Sequence, residues 1–272
     1  MWWFNRKGAS GFSGASTAEE VTAGVDARGL LAVITGASSG IGLETARVLA
    51  MRGVRVVMAV RNVAAGHKAS EAIRADIPGA GVHVLELDLS SMDSILTVVV
   101  NINNAGIMTR DCTLSIDGLE LQFATNHIDY IKLLTFLTRF FSFVAYGQSK
   151  LANILHSSEL SRVLKDNQET VKYEQGDCVN ISVNAVHPGV VTTNLFRNRT
   201  IINALVNSIG RIICKTVEQG AATTCYVALH PRVTGISGKY FGNCNLETPS
   251  SKASNSELAR KLWEFSSKIV SS

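Results

Sequence analysis

Two residues with complementary chemistry, Tyr146 and Lys150, lie four positions apart in the stretch AYGQSK. On a helix this spacing puts both side chains on one face, so the phenol and the ammonium group can reach one site. A phenol with an ordinary pKa of about 10 is a weak acid–base catalyst near neutral pH, and a nearby ammonium group stabilises the phenolate and lowers that pKa. The pair therefore predicts general acid–base chemistry.

A glycine-rich stretch, TGASSGIG at Thr35 to Gly42, is the second part of the sequence whose residue types could bind a ligand. It follows the apolar, β-prone run Leu30 to Thr35, and the apolar residues from Ile41 to Arg52 then recur with helical spacing. Small residues permit a tight turn and let backbone N–H groups approach a pyrophosphate at the helix N-terminus. The stretch predicts a strand, a phosphate-binding turn and a helix.

The elements predicted around these residues alternate between strands and helices. The remaining strands are expected at Val54–Val60, Val82–Leu87, Ile181–Val186 and Lys239–Phe241, and the remaining helices at Ala64–Ile77 and Glu218–Leu229. Such alternation is typical of a parallel sheet covered by helices. We therefore predict an α/β chain with a Rossmann-type doubly wound parallel sheet in a single domain. The polar stretch Asp166–Asp177 is expected to be a surface loop.

Six motifs in a fixed order make the pattern much more specific. They are TGxxxGIG at Thr35, Asp88 after the third predicted strand, NNAG at Asn103 to Gly106, Asn126, YxxxK at Tyr146, and PGxxxT at Pro188 to Thr193. Together they resemble the short-chain dehydrogenase/reductase family over residues 29–245. Stretches such as KGASGFS, ARVLAMRGVRVVMAVRN and QGAATTCYVAL further resemble the plant branch associated with the protein translocon of the plastid inner envelope. That branch is itself similar to retinol-dehydrogenase-like and WW-domain oxidoreductases.

The resemblance implies a dinucleotide site and a role for each matching residue. The implied cofactor-binding residues, with Arg61 added to them, are Gly36, Ser38, Ser39, Gly40, Ile41, Gly42, Arg61, Asp88, Leu89, Asn104, Ala105, Gly106, Tyr146, Lys150, Pro188, Gly189 and Thr193. By the same resemblance Tyr146 protonates a carbonyl oxygen as NADPH delivers hydride, and Lys150 also holds the ribose. Asn126 positions the water of a proton relay. No metal is expected.

Arg61, at the end of the second predicted strand, bears on which nicotinamide cofactor is used. An acidic residue at this position accepts a hydrogen bond from the ribose 2′-OH, whereas a basic residue suits a 2′-phosphate. A guanidinium group can also pair with phosphate in a bidentate manner. Arg61 therefore favours NADP(H). The alternative is that Arg61 is only a solvated surface charge.

One partner that the family resemblance implies, a serine at the end of a central strand, has almost no room in this chain. Only 19 residues separate Asn126 from Tyr146. A stub of strand at Phe140–Val144 would place Ser142 within it, four residues before the tyrosine. Only 14 residues separate Asp88 from Asn103, although a parallel crossover usually takes a dozen or more by itself. We therefore expect two internal contractions and a missing or shortened central strand.

These observations leave two functions open. One is an NADP(H)-dependent oxidoreductase that transfers hydride between NADPH and a small apolar carbonyl or alcohol substrate, with Tyr146 as the general acid/base. The other is a catalytically impaired, NADPH-binding interaction or regulatory subunit of the plastid protein-import machinery. The segment Arg197–Lys215, rich in isoleucine, is either an apolar lid over the substrate or an ordinary core helix.

Composition excludes several other classes. The chain has 272 residues and a net charge of +4, without a basic block, so no nucleic-acid partner is expected. Five scattered cysteines lack metal-ligand spacing and indicate reduced thiols in a non-secretory compartment. The apolar stretch Ile131–Ala145 is interrupted by Lys132 and Arg139, so no transmembrane helix is expected.

The two ends of the chain lie outside the predicted dinucleotide-binding domain of residues 29–245. The N-terminal extension of residues 1–28 lacks the apolar core of a secretory signal, and its Trp2, Trp3 and Phe4 either meet a membrane interface or pack on the body. The tail, residues 246–272, is expected to form a helix with an apolar stripe that packs on the domain; binding of calmodulin is the alternative. The resemblance implies a chloroplast location, peripheral at the inner envelope; a cytoplasmic location is the alternative.

Overall fold

The computed structural model describes residues 6–87, 101–104, 126, 142–171, 181–191 and 214–270. In chain order they form α1 (Ala18–Val21), β1 (Leu31–Thr35), α2 (Gly40–Met51), β2 (Arg55–Val60), α3 (Val63–Asp76), β3 (Val82–Glu86), β4 (Asn101–Ile102), α4 (Ser142–Val171), β5 (Ala185–His187), α5 (Val217–Leu229), β6 (Tyr240–Gly242), β7 (Asn245–Glu247) and α6 (Ser256–Val270). A single 3₁₀ turn, Pro231–Val233, follows α5.

The strands form two sheets whose pairing is mostly parallel. In the first sheet the order is β3-β2-β1-β4, and every pair is parallel. In the second, β5 pairs parallel with β6, and β6 pairs antiparallel with β7. Thr35 at the end of β1 lies level with Ala59 of β2, so both strands end at the same edge. The segments that follow β1, β2 and β4 therefore meet at the carboxyl edge of the sheet, where ligands of such folds bind.

The core lies between the first sheet and helices α2 and α3. Ile34 of β1 and Met58 of β2 are fully buried, together with Leu49 of α2 and Ile73 of α3. Strands of a parallel sheet are covered on both faces, which is why β1 and β2 read as continuous apolar runs. Burial of each large aliphatic side chain contributes about 1.5–3 kcal/mol to stability. This packing holds the loops that follow β1 and β2 in fixed positions.

Strand β4, at the edge of the first sheet, has two described residues. β4 comprises Asn101 and Ile102, which lie level with Val33 and Ile34 of β1. Among the described residues no strand connects β4 to β5, and the two sheets are separate. Ranges 105–125 and 127–141, between β4 and α4, are outside the described part. Residues 88–100, directly before β4, are also outside the described part.

The start of helix α4 differs from one expectation. The helix begins at Ser142, so residues 142–144 are helical and are not part of a strand stub at Phe140–Val144. Ser142 therefore does not lie in a strand four residues before Tyr146. Ser142 and Tyr146 are both in α4, and the four residues from one to the other make about one helical turn.

The end of helix α4 corrects a second expectation, since residues 166–171 of the predicted surface loop are helical. Residues 172–177 lie outside the described part. Arg162 forms ion pairs with Glu159 at 2.7 Å and with Asp166 at 2.5 Å, three and four positions away. Ion pairs at these spacings stabilise a helix. The polar composition of this stretch therefore did not mean the absence of secondary structure.

The strand expected at Ile181–Val186 begins only at Ala185. In the two preceding residues, side-chain hydrogen bonds replace part of the backbone pairing, although the Gly238 N–H still donates to the Val183 carbonyl at 2.6 Å. Val183 N–H donates to the Ser237 Oγ at 3.0 Å, and Asn184 Nδ2 donates to the Ile236 carbonyl at 2.7 Å. Because these contacts are far apart in sequence, the apolar run alone could not indicate them.

The N-terminal segment packs on the opposite end of the chain. Ser10 N–H donates to Asn245 Oδ1 at 2.9 Å, and Asn245 Nδ2 donates to the Phe12 carbonyl at 3.2 Å. The ring of Phe12 meets Tyr226 of α5 edge to face, with centroids 5.7 Å apart. Arg232 donates to the Ser10 carbonyl at 3.0 Å. Residues 8–12 are thus a docked part of the body; Trp2, Trp3 and Phe4 lie outside the described residues.

The tail helix α6 packs on α4. Its Ala259 and Leu262 are buried against Ala152 and Leu155 of α4. Its opposite face carries exposed ion pairs such as Arg260 with Glu264. In the described part of the chain, no helix is both long enough and apolar enough to span a membrane.

Candidate cofactor and catalytic site

The turn after β1 has a backbone that suits glycine. Gly36 and Gly40 have φ angles of 65° and 57°, in the left-handed region that side chains disfavour. The Gly36 N–H donates to the Ala59 carbonyl at 2.9 Å, which ties the turn to β2. A Cβ at Gly42 would lie 2.6 Å from the Gly36 carbonyl oxygen and would also overlap the Asn104 amide. The turn is therefore closed against side chains at three of its positions.

Helix α2 begins in this turn with its first N–H groups uncapped by a side chain. Ser39 is the N-cap residue and is extended, but its hydroxyl makes no capping hydrogen bond. Ser39 is exposed, and Ser38, Gly40 and Ile41 are partly exposed. The positive end of a helix with available N–H donors favours an anionic ligand. The residues present thus fit the pyrophosphate of a dinucleotide.

Asn104, just after β4, is hydrogen-bonded to the residue that begins the glycine turn. Its backbone N–H donates to Thr35 Oγ1 at 3.0 Å, and its Nδ2 donates to the Thr35 carbonyl at 3.0 Å. Thr35 Oγ1 in turn donates to the Ile102 carbonyl at 3.4 Å. The sequence predicted Asn104 to be a cofactor-binding residue; the structure gives it a place beside the glycine turn.

Arg61 lies at the carboxyl edge beside that turn, as the residue that follows β2, and it is exposed. The next residue, Asn62, caps α3 by accepting from the Ala65 N–H at 3.0 Å. This cap fixes where the chain turns from β2 into α3. The exposed guanidinium group of Arg61 is consequently near the glycine turn, at the end of β2, where it can contact a ligand.

The loop after β5 contains Pro188 and Gly189, and Gly189 has a φ of 87°. Val191, at the end of this loop, forms a parallel bridge with Lys215. A Cβ at Gly220 of α5 would lie 2.7 Å from Val191 Cγ2 and 3.3 Å from Ile41 Cγ1. Gly220 therefore lets the loop after β5 and the glycine turn approach each other. Gly220 was missed from the sequence, where it is one glycine within a helical pattern.

Tyr146 and Lys150 share one face of α4, as predicted. Lys150 Nζ lies over the Tyr146 ring, 5.3 Å from its centroid. The expectation that Lys150 lowers the tyrosine pKa is wrong for this arrangement: burial raises the pKa of Tyr146 and lowers the pKa of Lys150. An ammonium group over the ring face interacts with the π system and not with the phenol oxygen, so desolvation dominates both groups.

Asn126 is buried and lies against the same turn of α4. Its Nδ2 donates to Ser149 Oγ at 3.1 Å, and the Ser149 hydroxyl donates to the Tyr146 carbonyl at 2.8 Å. Ser149 is fully buried. The hydroxyl thus links the predicted asparagine to the backbone of the predicted acid. Sequence reasoning missed Ser149, because a serine between a tyrosine and a lysine carries no sign of a partner 23 positions away.

The predicted residues thus form two groups. One is the glycine turn with Asn104, which Val191 and Gly220 connect to the Pro188–Gly189 loop; the other is Asn126 with Tyr146 and Lys150. Helix α4 contacts β5, the strand that leads into Pro188. The remaining predicted cofactor residues, Asp88, Leu89, Ala105, Gly106 and Thr193, lie outside the described residues.

Comparison with known proteins identifies the family. The family described as short chain dehydrogenase matches residues 30–126. The chain is 43% identical to short-chain dehydrogenase TIC 32 B, chloroplastic, of Brassica napus, over 98% of this chain and 97% of the relative. It is 34% identical to retinol dehydrogenase 12 of Mus musculus, over 92% of this chain and 89% of that protein. The chain therefore belongs to the short-chain dehydrogenase/reductase family of oxidoreductases, which confirms the resemblance seen in its motifs.

A solved structure confirms the Rossmann-type fold. The crystal structure of an uncharacterised protein from Mycobacterium paratuberculosis matches with a TM-score of 0.70 and 27% identity. The match covers 95% of this chain and 98% of that one.

The length of the alignment to the Brassica napus relative bears on the contractions. It spans 319 positions, whereas 98% of the 272 residues of this chain is about 267. About 52 positions of the alignment therefore have no residue in this chain. A loss of this size agrees with the short intervals before Asn103 and Tyr146. The places of the two contractions stay a prediction from the sequence.

Proposed function

We propose that this chain binds NADP(H) and transfers hydride between the nicotinamide and a small apolar carbonyl or alcohol compound. The observation that carries the proposal is the glycine turn at the uncapped start of α2. Gly36 and Gly40 have positive φ angles there, and a Cβ at Gly42 would collide with the Gly36 carbonyl and the Asn104 amide. A turn of this kind leaves room for a backbone–phosphate contact and for little else.

The cofactor, when bound, supplies the hydride, and the residues of the chain bind it and manage the proton. Ser38, Ser39 and the first N–H groups of α2 would hold the pyrophosphate. The exposed guanidinium of Arg61 would meet a 2′-phosphate on the adenine ribose, which a 2′-hydroxyl cannot match in charge. These contacts are our reason for naming NADP(H) over NAD(H).

Tyr146 would be the residue that holds and releases the proton. Burial raises its pKa above the usual value of about 10, so the phenol is protonated at neutral pH. A protonated phenol can donate to the carbonyl oxygen as that oxygen gains negative charge. Lys150, on the same face of the helix, would bind the ribose and hold the ring through its contact with the aromatic face.

A second function is favoured by a specific observation, the loss of about 52 aligned positions relative to a close relative. If these positions include the central strand and its serine, the chain keeps a dinucleotide site but lacks a hydrogen-bond donor to the substrate oxygen. Loss of one such donor costs about 10²- to 10³-fold in rate. The chain would then act as an NADPH-binding subunit that associates with the plastid protein-import machinery.

The proposed location is the chloroplast, peripheral to the inner envelope. It is supported by the chloroplastic Brassica napus relative, to which this chain is 43% identical over nearly its whole length. The motifs of the plant branch support the same location. Imaging a fluorescent fusion of the full chain in leaf cells, followed by fractionation of intact plastids, would test it; a cytoplasmic signal would reject it.

One experiment separates the two functions. NADPH binding to the purified chain is measured by fluorescence titration, and turnover is then measured with a panel of apolar aldehydes and ketones. Binding with turnover that Tyr146→Phe abolishes supports the oxidoreductase. Binding without turnover supports the regulatory subunit, and the absence of NADPH binding rejects both.

A further inference from the structure

Lys215 is a buried lysine that lies against the proposed cofactor loop and belongs to none of the six family motifs. It lies just before α5 and is only 4% exposed. Its backbone N–H donates to the Val190 carbonyl at 2.8 Å, and it bridges Val191 in parallel. The backbone of Lys215 therefore pairs with the end of the loop after β5, as a neighbouring strand would.

The side chain of Lys215 turns back over the same loop. A Cβ at Gly189 would lie 2.9 Å from Lys215 Cε and 3.3 Å from its Nζ, so the stem of the lysine occupies the space beside the Gly189 backbone. Gly189 thus combines a positive φ with a close neighbour. Both features fix the path of the chain from Pro188 to Val191.

The ammonium group of Lys215 connects this loop to the turn between β6 and β7. Nζ donates to Asn243 Oδ1 at 2.7 Å. Asn243 has a φ of 51°, and the following Cys244 has a φ of 60°, so the turn is a tight one with a defined shape. Burial lowers the pKa of Lys215, an effect that Cys244 and Glu247 partly offset. The acceptor is therefore part of a well-defined turn and not a mobile surface group.

The loop that Lys215 holds is also in contact with the glycine turn. Val191 and Ile41 both approach Gly220, as described above. If Arg61 receives the adenine ribose at the end of β2, the extended dinucleotide must run from the glycine turn toward other loops of the carboxyl edge. The Pro188–Val191 loop lies close to the glycine turn, because Val191 and Ile41 both pack against Gly220 of α5. This loop is therefore in a position to contact the nicotinamide half of the cofactor.

We propose that Lys215 is a positioning residue for the nicotinamide half of the cofactor, acting by clamping the Pro188–Val191 loop to the β6–β7 turn. The inference rests on the proposed NADP(H) site. Lys215 is buried and its stem lies against Gly189, so we assign it no contact with the cofactor itself.

The test uses full-length chains with three substitutions. Lys215→Met keeps the stem and removes the donor, and Asn243→Gly removes the acceptor while it keeps the positive φ that glycine adopts freely. Lys239→Met is the matched control, since Lys239 is exposed. Each chain is titrated with NADPH and with adenosine 2′,5′-bisphosphate, which represents only the adenine half. Hydrogen exchange of the Pro188–Val191 peptide is followed without any cofactor.

We expect Lys215→Met to weaken NADPH binding about tenfold, the worth of one charge-assisted hydrogen bond. Binding of the bisphosphate should stay within about twofold, exchange of the loop should accelerate, and Lys239→Met should change none of these. Asn243→Gly should also weaken NADPH binding and accelerate exchange of the loop. If Lys215→Met does not fold, the result for Asn243→Gly tests the proposal.

Equal weakening of both ligands, or unchanged exchange in the loop, would overturn the inference and leave Lys215 with a general structural role. Unchanged NADPH binding would overturn it as well. If the unsubstituted chain binds neither ligand, the proposed function fails and the role for the cofactor fails with it. The exchange data would still show whether Lys215 clamps the loop, so the two failures are distinguishable.

Discussion

The substitution Gly42→Ala should lower both stability and NADPH affinity, although alanine is the better helix former. The gain from helix propensity is about 1 kcal/mol. Against it, the new Cβ would lie 2.6 Å from the Gly36 carbonyl oxygen, and this backbone is held by the Gly36 N–H bond to Ala59. Overpacking of this kind costs about 1–3 kcal/mol.

The same Cβ would also displace the amide of Asn104. Nδ2 of the half-buried Asn104 would then lose its bond of 3.0 Å to the Thr35 carbonyl, and a polar group left unsatisfied away from water costs about 1–3 kcal/mol. We therefore expect a net loss of about 1–5 kcal/mol in the free energy of unfolding, measured by urea denaturation. NADPH affinity, measured by fluorescence titration, should fall at least tenfold, because the turn moves where the phosphates bind.

Gly147→Ala is the matched control for Gly42→Ala. Gly147 also lies in a helix, but nothing is within 4 Å of the position that its Cβ would occupy. Here the propensity term acts alone, and stability should rise by up to about 1 kcal/mol. The two substitutions are chemically identical, so opposite signs isolate the effect of the turn. If Gly42→Ala were as stable as the unsubstituted chain and bound NADPH equally well, the reasoning about the closed turn would be refuted.

Three further predictions concern the cofactor, the proton and pH. Arg61→Glu should weaken NADPH binding about 10- to 100-fold, whereas NADH binding should stay equal or become tighter, because the new carboxylate can accept from the ribose 2′-OH; parallel titrations measure both, and an unchanged preference would reject the role of Arg61. Tyr146→Phe should lower turnover about 10²- to 10⁴-fold while NADPH still binds, and retained turnover would exclude this phenol as the acid. His156, which stacks on Trp263 with centroids 5.3 Å apart, has a pKa lowered by burial. Its contribution to stability is therefore present above pH 6.5 and is lost as pH falls below that value. His156→Phe should flatten the fall in the free energy of unfolding between pH 7.5 and 5.5, and an equal fall in both chains would contradict this.

The first half of the fold could be predicted from the sequence because its signals are local. β1, α2, β2 and α3 lie within one or two residues of the positions that apolar periodicity and the glycines indicated. Each of these elements is buried by the ones next to it in the chain, so neighbouring residues determine the pattern. The glycine turn follows from the same local information.

Other parts depend on contacts between distant residues and could not be predicted. The strand expected at Ile181 starts at Ala185 because Ser237 takes the Val183 N–H as its donor. Ser149 has its role because it accepts a hydrogen bond from Asn126, which is distant in sequence. Lys215 has its role because it packs against Gly189 and donates to Asn243, 28 positions later. The direction of the Tyr146 pKa shift also required the position of Lys150 over the ring, which a spacing of four does not specify.

The docking of residues 8–12 on the far end of the chain has a consequence for the order in which the protein folds. Ser10 pairs with Asn245, a partner 235 positions later, and Phe12 packs on Tyr226. Contacts of such high sequence separation form slowly, because the intervening chain must first be brought together. In a chain emerging from the ribosome, β1 and α2 can form early, whereas Phe12 cannot make its native contacts until Tyr226 and Asn245 have been synthesised. During translation the ring of Phe12 therefore stays without its partner ring, and residues 8–12 can dock only after nearly the whole chain has been made.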